Sequence, residues 1–241
     1  MKDTSATAQI NFAAVDHKID GRLILSGVSV DLSARRIGVI GRNGSGKTTF
    51  ARLLAGLVAP SAGTVTIDGI NPAKDRRAAL SLVGILFQNP DHQIIFPTVI
   101  EEISFGLRQQ GMDDPEARAG AVLDQFGKAH WHDAHVHSLS QGQKQLVCLM
   151  SILAMTPRIL ILDEPFAGLD IPTRMQLARY LDRYDGTLVH VSHDPRDLTG
   201  YDQVLWLDRG VLQGQGADVL DAFTDDMTRQ GEGDDISDLS R

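Results

Sequence analysis

The chain has 241 residues, a formal net charge of −8, 42% hydrophobic and 22% charged residues. That is the composition of an ordinary globular protein with one sizeable core. With no Lys- or Arg-rich run, it argues against binding nucleic acid through a broad basic face. Cys148 is the only cysteine, so no internal disulfide can form and a reducing compartment is the simpler reading. Residues 1–9 are polar and carry no apolar h-region, so no secretory signal is expected. The longest apolar segment, residues 146–155, is about half the length of a membrane span. Work at a membrane would need a partner to hold the chain there.

Apolar residues alternate or cluster over residues 9–15 and Arg22–Leu32, which predicts two antiparallel strands joined near Asp20-Gly21. Residues 37–40 read as a buried strand, followed by a glycine loop and a helix over 49–55. Next come a strand over 64–68, closed by Asp68-Gly69, a short helix over 72–80 and a buried strand over 82–87 that ends at Gln88. Beyond a polar loop, Thr98 and Glu101 have the form of a capping box opening a helix towards Gly111. Helices are predicted over 115–126 and 141–155, the latter with Leu146, Leu149, Met150 and Leu153 on one core-facing side. A strand over 158–162, a helix over 172–181, a strand over 187–191 and a last strand over 203–207 complete the pattern. Alternating strands and helices imply an α/β fold with a mostly parallel sheet. An N-terminal antiparallel β-subdomain and an inserted helical subdomain, at about 98–156, are expected beside it. Residues 1–224 are expected to form one domain and the acidic residues 225–241 a flexible tail.

Gly41-Arg42-Asn43-Gly44-Ser45-Gly46-Lys47-Thr48 fits G-x-x-x-x-G-K-[ST] between the predicted strand and helix, the context that a P-loop needs. Gly41, Gly44 and Gly46 let the backbone bend and turn N–H groups inward, and the helix dipole favours an anion at the same point. Asn43, Ser45 and Thr49 complete the expected phosphate cradle; Lys47 would reach the β- and γ-phosphates and Thr48 would ligate Mg²⁺. Ile159-Leu160-Ile161-Leu162-Asp163-Glu164 is a buried strand delivering two carboxylates. Alone it could be a solubilising strand end. Beside a P-loop, Asp163 is expected to hold Mg²⁺ through water and Glu164 to polarise the attacking water.

Leu139-Ser140-Gln141-Gly142-Gln143 fits L-S-x-G-Q at a helix start, and Ser140 with Gln143 also satisfies a capping box. The two readings are compatible, because a capped helix N-terminus is also an anion site. Taken in order, the P-loop, Gln88, LSQGQ, ILILDEP, Ala167-Gly168-Leu169-Asp170 and His193 resemble an ABC-type ATPase over about residues 9–215. The resemblance implies a P-loop NTPase core that hydrolyses ATP with Mg²⁺. It makes Gln88 the Q-loop residue, Asp170 the D-loop aspartate and His193 the switch histidine. Catalytic work would fall to Glu164, His193, Gln88 and Lys47, and metal ligation to Thr48, Gln88 and Asp163. The family works as head-to-tail dimers, so Ser140, Gly142 and Gln143 would serve the nucleotide of a second ATPase, a copy of this chain or a paralogue.

A finer resemblance is to the ATPases of energy-coupling-factor (ECF) importers, carried by Gln88-Asn89-Pro90-Asp91-His92-Gln93, Thr98–Glu102 and Phe105-Gly106. Residues 35–43 and LSQGQKQL look most like the biotin-type member. That resemblance implies a transmembrane scaffold docking between Gln88 and Phe105 and a separate membrane subunit that captures the substrate. It also implies a peripheral position on the cytoplasmic face of the cell membrane. The alternatives are a cobalt/nickel-type ECF or classical ABC importer, and a soluble non-transport ABC ATPase. A GTPase switch is disfavoured, because no N-K-x-D occurs and LSQGQ would go unexplained. Residues 14–21 lack the aromatic residue that usually stacks on adenine, which leaves His17 as its stand-in. Gln141 stands where glycine is usual, and Leu146 where a basic residue often follows. His130, His132, Asp133, His135 and His137 match no closed zinc motif and read as an exposed loop titrating near neutrality.

Overall fold

The computed structural model describes residues 7–216 and 218–231. β1 (Ile10–Ile19) and β2 (Arg22–Leu32) form the expected hairpin, and β4 (Ala62–Ile67) pairs with the other edge of β1 in a three-stranded antiparallel sheet. β1 runs on past residue 15. Register slips between Phe12 and Val15 and on to Lys18 break the alternation by which a strand is recognised.

The larger sheet is built from β3 (Arg36–Ile40), β5 (Val83–Leu86), β6 (Ile159–Asp163), β7 (Thr187–Ser192), β8 (Gln203–Asp208) and β9 (Val211–Gln215). Its order is β5-β6-β7-β3-β8-β9, parallel throughout except for β9. β9 has no counterpart among the expected strands, because it is polar and alternately exposed. The turn before it makes the hairpin: Arg209 and Gly210 both have positive φ, 47° and 79°.

Side chains of β6 divide between two cores, which is why the strand is apolar up to Asp163 at its end. Ile159 and Ile161 join the core under the antiparallel sheet and α1 (Lys47–Leu54), where the Phe12 and Phe50 rings stack at 4.3 Å. Leu160 and Leu162 face α3 (Val99–Gln109), α4 (Pro115–Gln125), α5 (Gln141–Ala154) and α6 (Ile171–Asp182) on the other side. The helix expected from residue 72 starts instead at Arg76 (α2, Arg76–Leu82). Before it, the Asn71 carboxamide accepts from the Ala73 and Lys74 amides in a turn, and Asp75 caps the helix at Ala78.

Residues 225–231, expected in a flexible tail, continue α7 (Val219–Gly231). Val219, Phe223 and Met227 form an i, i+4, i+8 stripe on Ile40, Leu198, Val204 and Trp206, with the Trp206 and Phe223 rings edge to face at 5.8 Å. The rest of the expected tail, 232–241, lies outside the described residues.

His190, in the middle of β7, is 1% exposed, and burial pushes its imidazole down to about 3. It stays neutral in the fold, while in the unfolded chain it gains a proton below about pH 6.5. The unfolded state then binds more protons, so stability should fall as pH drops below that value, by about 1.4 kcal/mol per unit from this group. Urea unfolding at a series of pH values should show a shallower slope for His190→Asn than for the wild type.

Candidate nucleotide-binding site

Parallel pairing sets Ile40 opposite Ser192 and Asp163 opposite Val191, so the chain leaves β3, β6 and β7 at one edge of the sheet. Ligand sites form at this carboxyl edge in open α/β folds. Gly41 follows β3, where a Cβ would lie 2.2 Å from the Leu207 carbonyl oxygen and 2.6 Å from Ser45 Oγ. Gly44 and Gly46 have φ of 80° and 101°. α1 then begins with no side-chain cap, which leaves its first-turn N–H groups and positive dipole end for an anion. The buried Ser45 hydroxyl has no protein partner among the described residues.

Lys47 is buried, and its ammonium donates to the carbonyls of Gly41 at 2.7 Å and Arg42 at 2.9 Å, with Glu164 Oε1 at 3.8 Å. Burial lowers its pKa, opposed by the charges of Glu164 and Asp163. Asp163, at the end of β6, accepts from the Thr48 hydroxyl at 3.2 Å. Burial raises its pKa and the Thr48 hydrogen bond opposes the shift. Glu164 has a φ of 51°, a left-handed backbone that costs of order 1 kcal/mol. Its amide donates to Val191 at 3.0 Å, and its carboxylate lies 2.9 Å from His193 Nδ1. Asn43, Gly44, Gly46, Lys47, Thr48, Thr49, Gln88, Glu164 and His193 share one cleft of about 660 Å³.

The Thr48 hydroxyl and the Asp163 carboxylate are hard oxygen donors beside an anion cradle, and a cation would offset the buried carboxylate; both features fit Mg²⁺. Among the described residues no group of three or more His, Cys, Asp and Glu could hold a metal, the His130–His137 stretch included. Beyond Thr48, Asp163 and the Gln88 carboxamide, which lines the same cleft, the remaining ligands would be phosphate oxygens and water.

A second group of expected site residues stands apart from this cleft. The Ser140 hydroxyl accepts from the Gln143 amide at 3.3 Å while the Gln143 side chain accepts from the Ser140 amide at 2.8 Å, so the capping box exists. Ser140, Gln141 and Gln143 are exposed. Gly142 abuts the neighbouring helix, where a Cβ would meet the Thr173 methyl at 2.4 Å. Asp170 caps that helix at the Thr173 amide. Ser140, Gly142, Gln143 and Asp170 line no part of the P-loop cleft.

The family model described as ABC transporter matches residues 25–167. The chain belongs to the ABC transporter family. It is 48% identical over 218 residues to the biotin transport ATP-binding protein BioM of Rhodobacter capsulatus, covering 89% of this chain and 93% of that one. Over 205 residues it is 39% identical to BioM of Rhizobium etli, 84% of this chain and 91% of that one. Its fold is similar to CbiO1 of Clostridium perfringens, described as part of the ABC transporter complex CbiONQ. The TM-score is 0.74 at 27% identity, over 91% of this chain and 93% of that one. As a member of this family the chain is an ATP-binding subunit whose ATP hydrolysis is coupled to transport.

In this ABC ATPase, His17 is badly placed to stand in for an adenine-stacking aromatic. Its ring is 8% exposed, with Nδ1 3.1 Å from the Ala59 carbonyl oxygen, and it does not line the cleft. The register slips in β1 turned it inward. The cleft is also lined by Ile19, Arg22 and Ile24, on either side of the hairpin turn, residues that sequence reasoning passed over because it sought an aromatic ring. A guanidinium and aliphatic edges also suit the face of a base. Arg22→Ala should weaken ATP binding about fivefold, roughly 1 kcal/mol, and leave tripolyphosphate binding unchanged. His17→Ala should lower stability but not the affinity of the folded protein, as read by calorimetric titration.

Proposed function

We propose that this chain is the ATP-hydrolysing motor of an ECF-type importer whose cargo is biotin. The observation that carries the motor reading is the division of the site. Lys47, Asp163, Glu164 and His193 converge on the P-loop, while Ser140, Gly142, Gln143 and Asp170 sit on a separate exposed surface. Such a chain completes its ATP site only against a second ATPase, a copy or a paralogue, that presents its own signature helix. Ile171 and Met175, 75% and 60% exposed one turn apart beside Asp170, support an interface there. The cargo rests on the near full-length similarity to BioM. The second reading is a cobalt/nickel-type ECF or classical ABC importer, because the likeness to CbiO1, part of an ABC transporter complex, fixes the transport role and not the cargo.

In this mechanism Lys47 leaves the Gly41 and Arg42 carbonyls to hold the β- and γ-phosphates. Thr48 and Asp163, with Gln88 at the rim, would hold Mg²⁺, which would supply charge neutralisation on the phosphate oxygens. Glu164 orients and polarises the attacking water, and His193, hydrogen-bonded to it, reaches the γ-phosphate side. No helix among the described residues is long and apolar enough to cross a membrane. By its similarity to importer ATPases, the reading places the chain peripherally on the cytoplasmic face, under a transmembrane scaffold and a separate substrate-capture subunit. The scaffold would dock between Gln88 and Phe105. There Ile95 is 69% exposed, and the Glu102 carboxylate holds the loop by accepting from the Ile95 and Phe96 amides at 2.9 Å.

Glu164→Gln should reduce ATP turnover at least a hundredfold while ATP binding persists, and size-exclusion chromatography with ATP should then show a trapped dimer. Unchanged hydrolysis would remove Glu164 from its role. Membrane co-purification followed by uptake assays with labelled biotin and cobalt tests the cargo. In the same assay Asp91→Lys, in the docking segment, should abolish uptake and spare ATP binding; loss of ATP binding would refute that placement.

A further inference from the structure

His193 lies on an exposed loop, with 53% of its side chain accessible, yet it meets Glu164 at 2.9 Å. An exposed loop does not hold such a contact by itself. The brace comes from Asp197, on the 3-10 turn Pro195–Leu198 that follows the histidine. The Ser192 hydroxyl, one residue before His193, donates to Asp197 Oδ2 at 2.7 Å, and the Asp194 amide, one residue after it, donates to that hydroxyl at 3.0 Å. The backbone on both sides of His193 is thus fastened to one carboxylate, which is only 10% exposed. Its other oxygen is engaged by the guanidinium of Arg174 on α6. Arg174 also lies over the Phe166 ring at 5.1 Å, and its amide donates to Asp170, the residue that caps α6, at 2.9 Å.

We propose that Asp197 is a positioning residue that couples the placement of α6 to the aim of His193. α6 is capped by Asp170 and carries the exposed Ile171 and Met175 in its first turns. On the reading above, a second subunit seats on this surface, and the inference rests on that reading and on the assigned role of His193. A shift of α6 on docking is carried by Arg174 to Asp197, and by Asp197 to the Ser192–Asp194 backbone. The imidazole then moves relative to Glu164. Asp197 touches neither nucleotide nor water in this scheme; it acts only through His193. The charge-assisted bond to Arg174 is what makes the link stiff, and an angstrom of misplacement at a reacting centre is enough to slow chemistry strongly.

The test is a double-mutant cycle on the full chain, read by steady-state ATP hydrolysis and by binding of a fluorescent ATP analogue. Asp197→Asn keeps the shape and the Ser192 bond but removes the charge facing Arg174. It should lower kcat about tenfold or more with KM and analogue affinity within twofold of wild type. Arg174→Met, which cuts the link from the other end, should do the same, and it carries the test if Asp197→Asn folds poorly by circular dichroism. In a His193→Ala background, Asp197→Asn should add nothing, because its effect passes through the missing ring. Losses that multiply in the double variant, or wild-type kcat in both single variants while His193→Ala is slow, would overturn the inference. Wild-type turnover in His193→Ala would instead overturn the role assigned to the histidine itself.

Discussion

The site depends on the register of three parallel strands. With Ile40 opposite Ser192 and Asp163 opposite Val191, the P-loop, the paired acids and the histidine loop emerge side by side. A slip of one residue in β6 would turn its side chains to the opposite faces and carry Asp163 away from Thr48. The slip is resisted by packing and not by the polar groups. Ile159 and Ile161 fill one core and Leu160 and Leu162 the other, all fully buried. Exchanging them would mismatch four side chains of different branching with two separate environments. The hydrophobic layers therefore set the coordinates of the chemistry.

Within that frame the polar groups are left out of balance. Lys47 and Asp163 are both buried, and burial shifts each towards its neutral form. The ammonium is held by two carbonyl oxygens, and the carboxylate by one hydroxyl at 3.2 Å. A polyanion alone would relieve the lysine and aggravate the aspartate; a cation alone would do the reverse. Beyond the Glu164 carboxylate 3.8 Å from the ammonium, both groups gain further charge partners when phosphate and a divalent cation arrive together, which fits a nucleotide bound as its metal complex.

Sequence made the centre of the site legible and its periphery less so. The P-loop and the LSQGQ capping box are local devices, set by glycines and short polar side chains within a few residues, and they stand where their spacing predicts. The strands of the parallel sheet are readable because burial on both faces gives each a short, largely apolar run. Features that depend on distant partners were not readable. His17 turns inward because of bulges in β1 that the pattern conceals. β9 is a strand because β8 offers an edge, and α7 continues past residue 224 because Trp206 receives Phe223. Asp197 looks like any acid in a short loop until Arg174, from another helix, is seen to meet it.

On the proposed reading, the exposure of Ser140 and Gln143 has an energetic meaning. A nucleotide that touched the P-loop chain alone would bind open and closed dimers equally and could move neither, however tightly it bound. Work requires differential affinity, and that requires contacts available in only one of the two states. A helix N-terminus held ready on the outer surface, with its capping box already formed, supplies such contacts at little ordering cost. Rigidity of the signature helix and mobility between subunits are then complementary. The stiffer each half of the site, the more of the binding free energy of ATP appears as closure, and the more of it is released when hydrolysis removes the bridging phosphate.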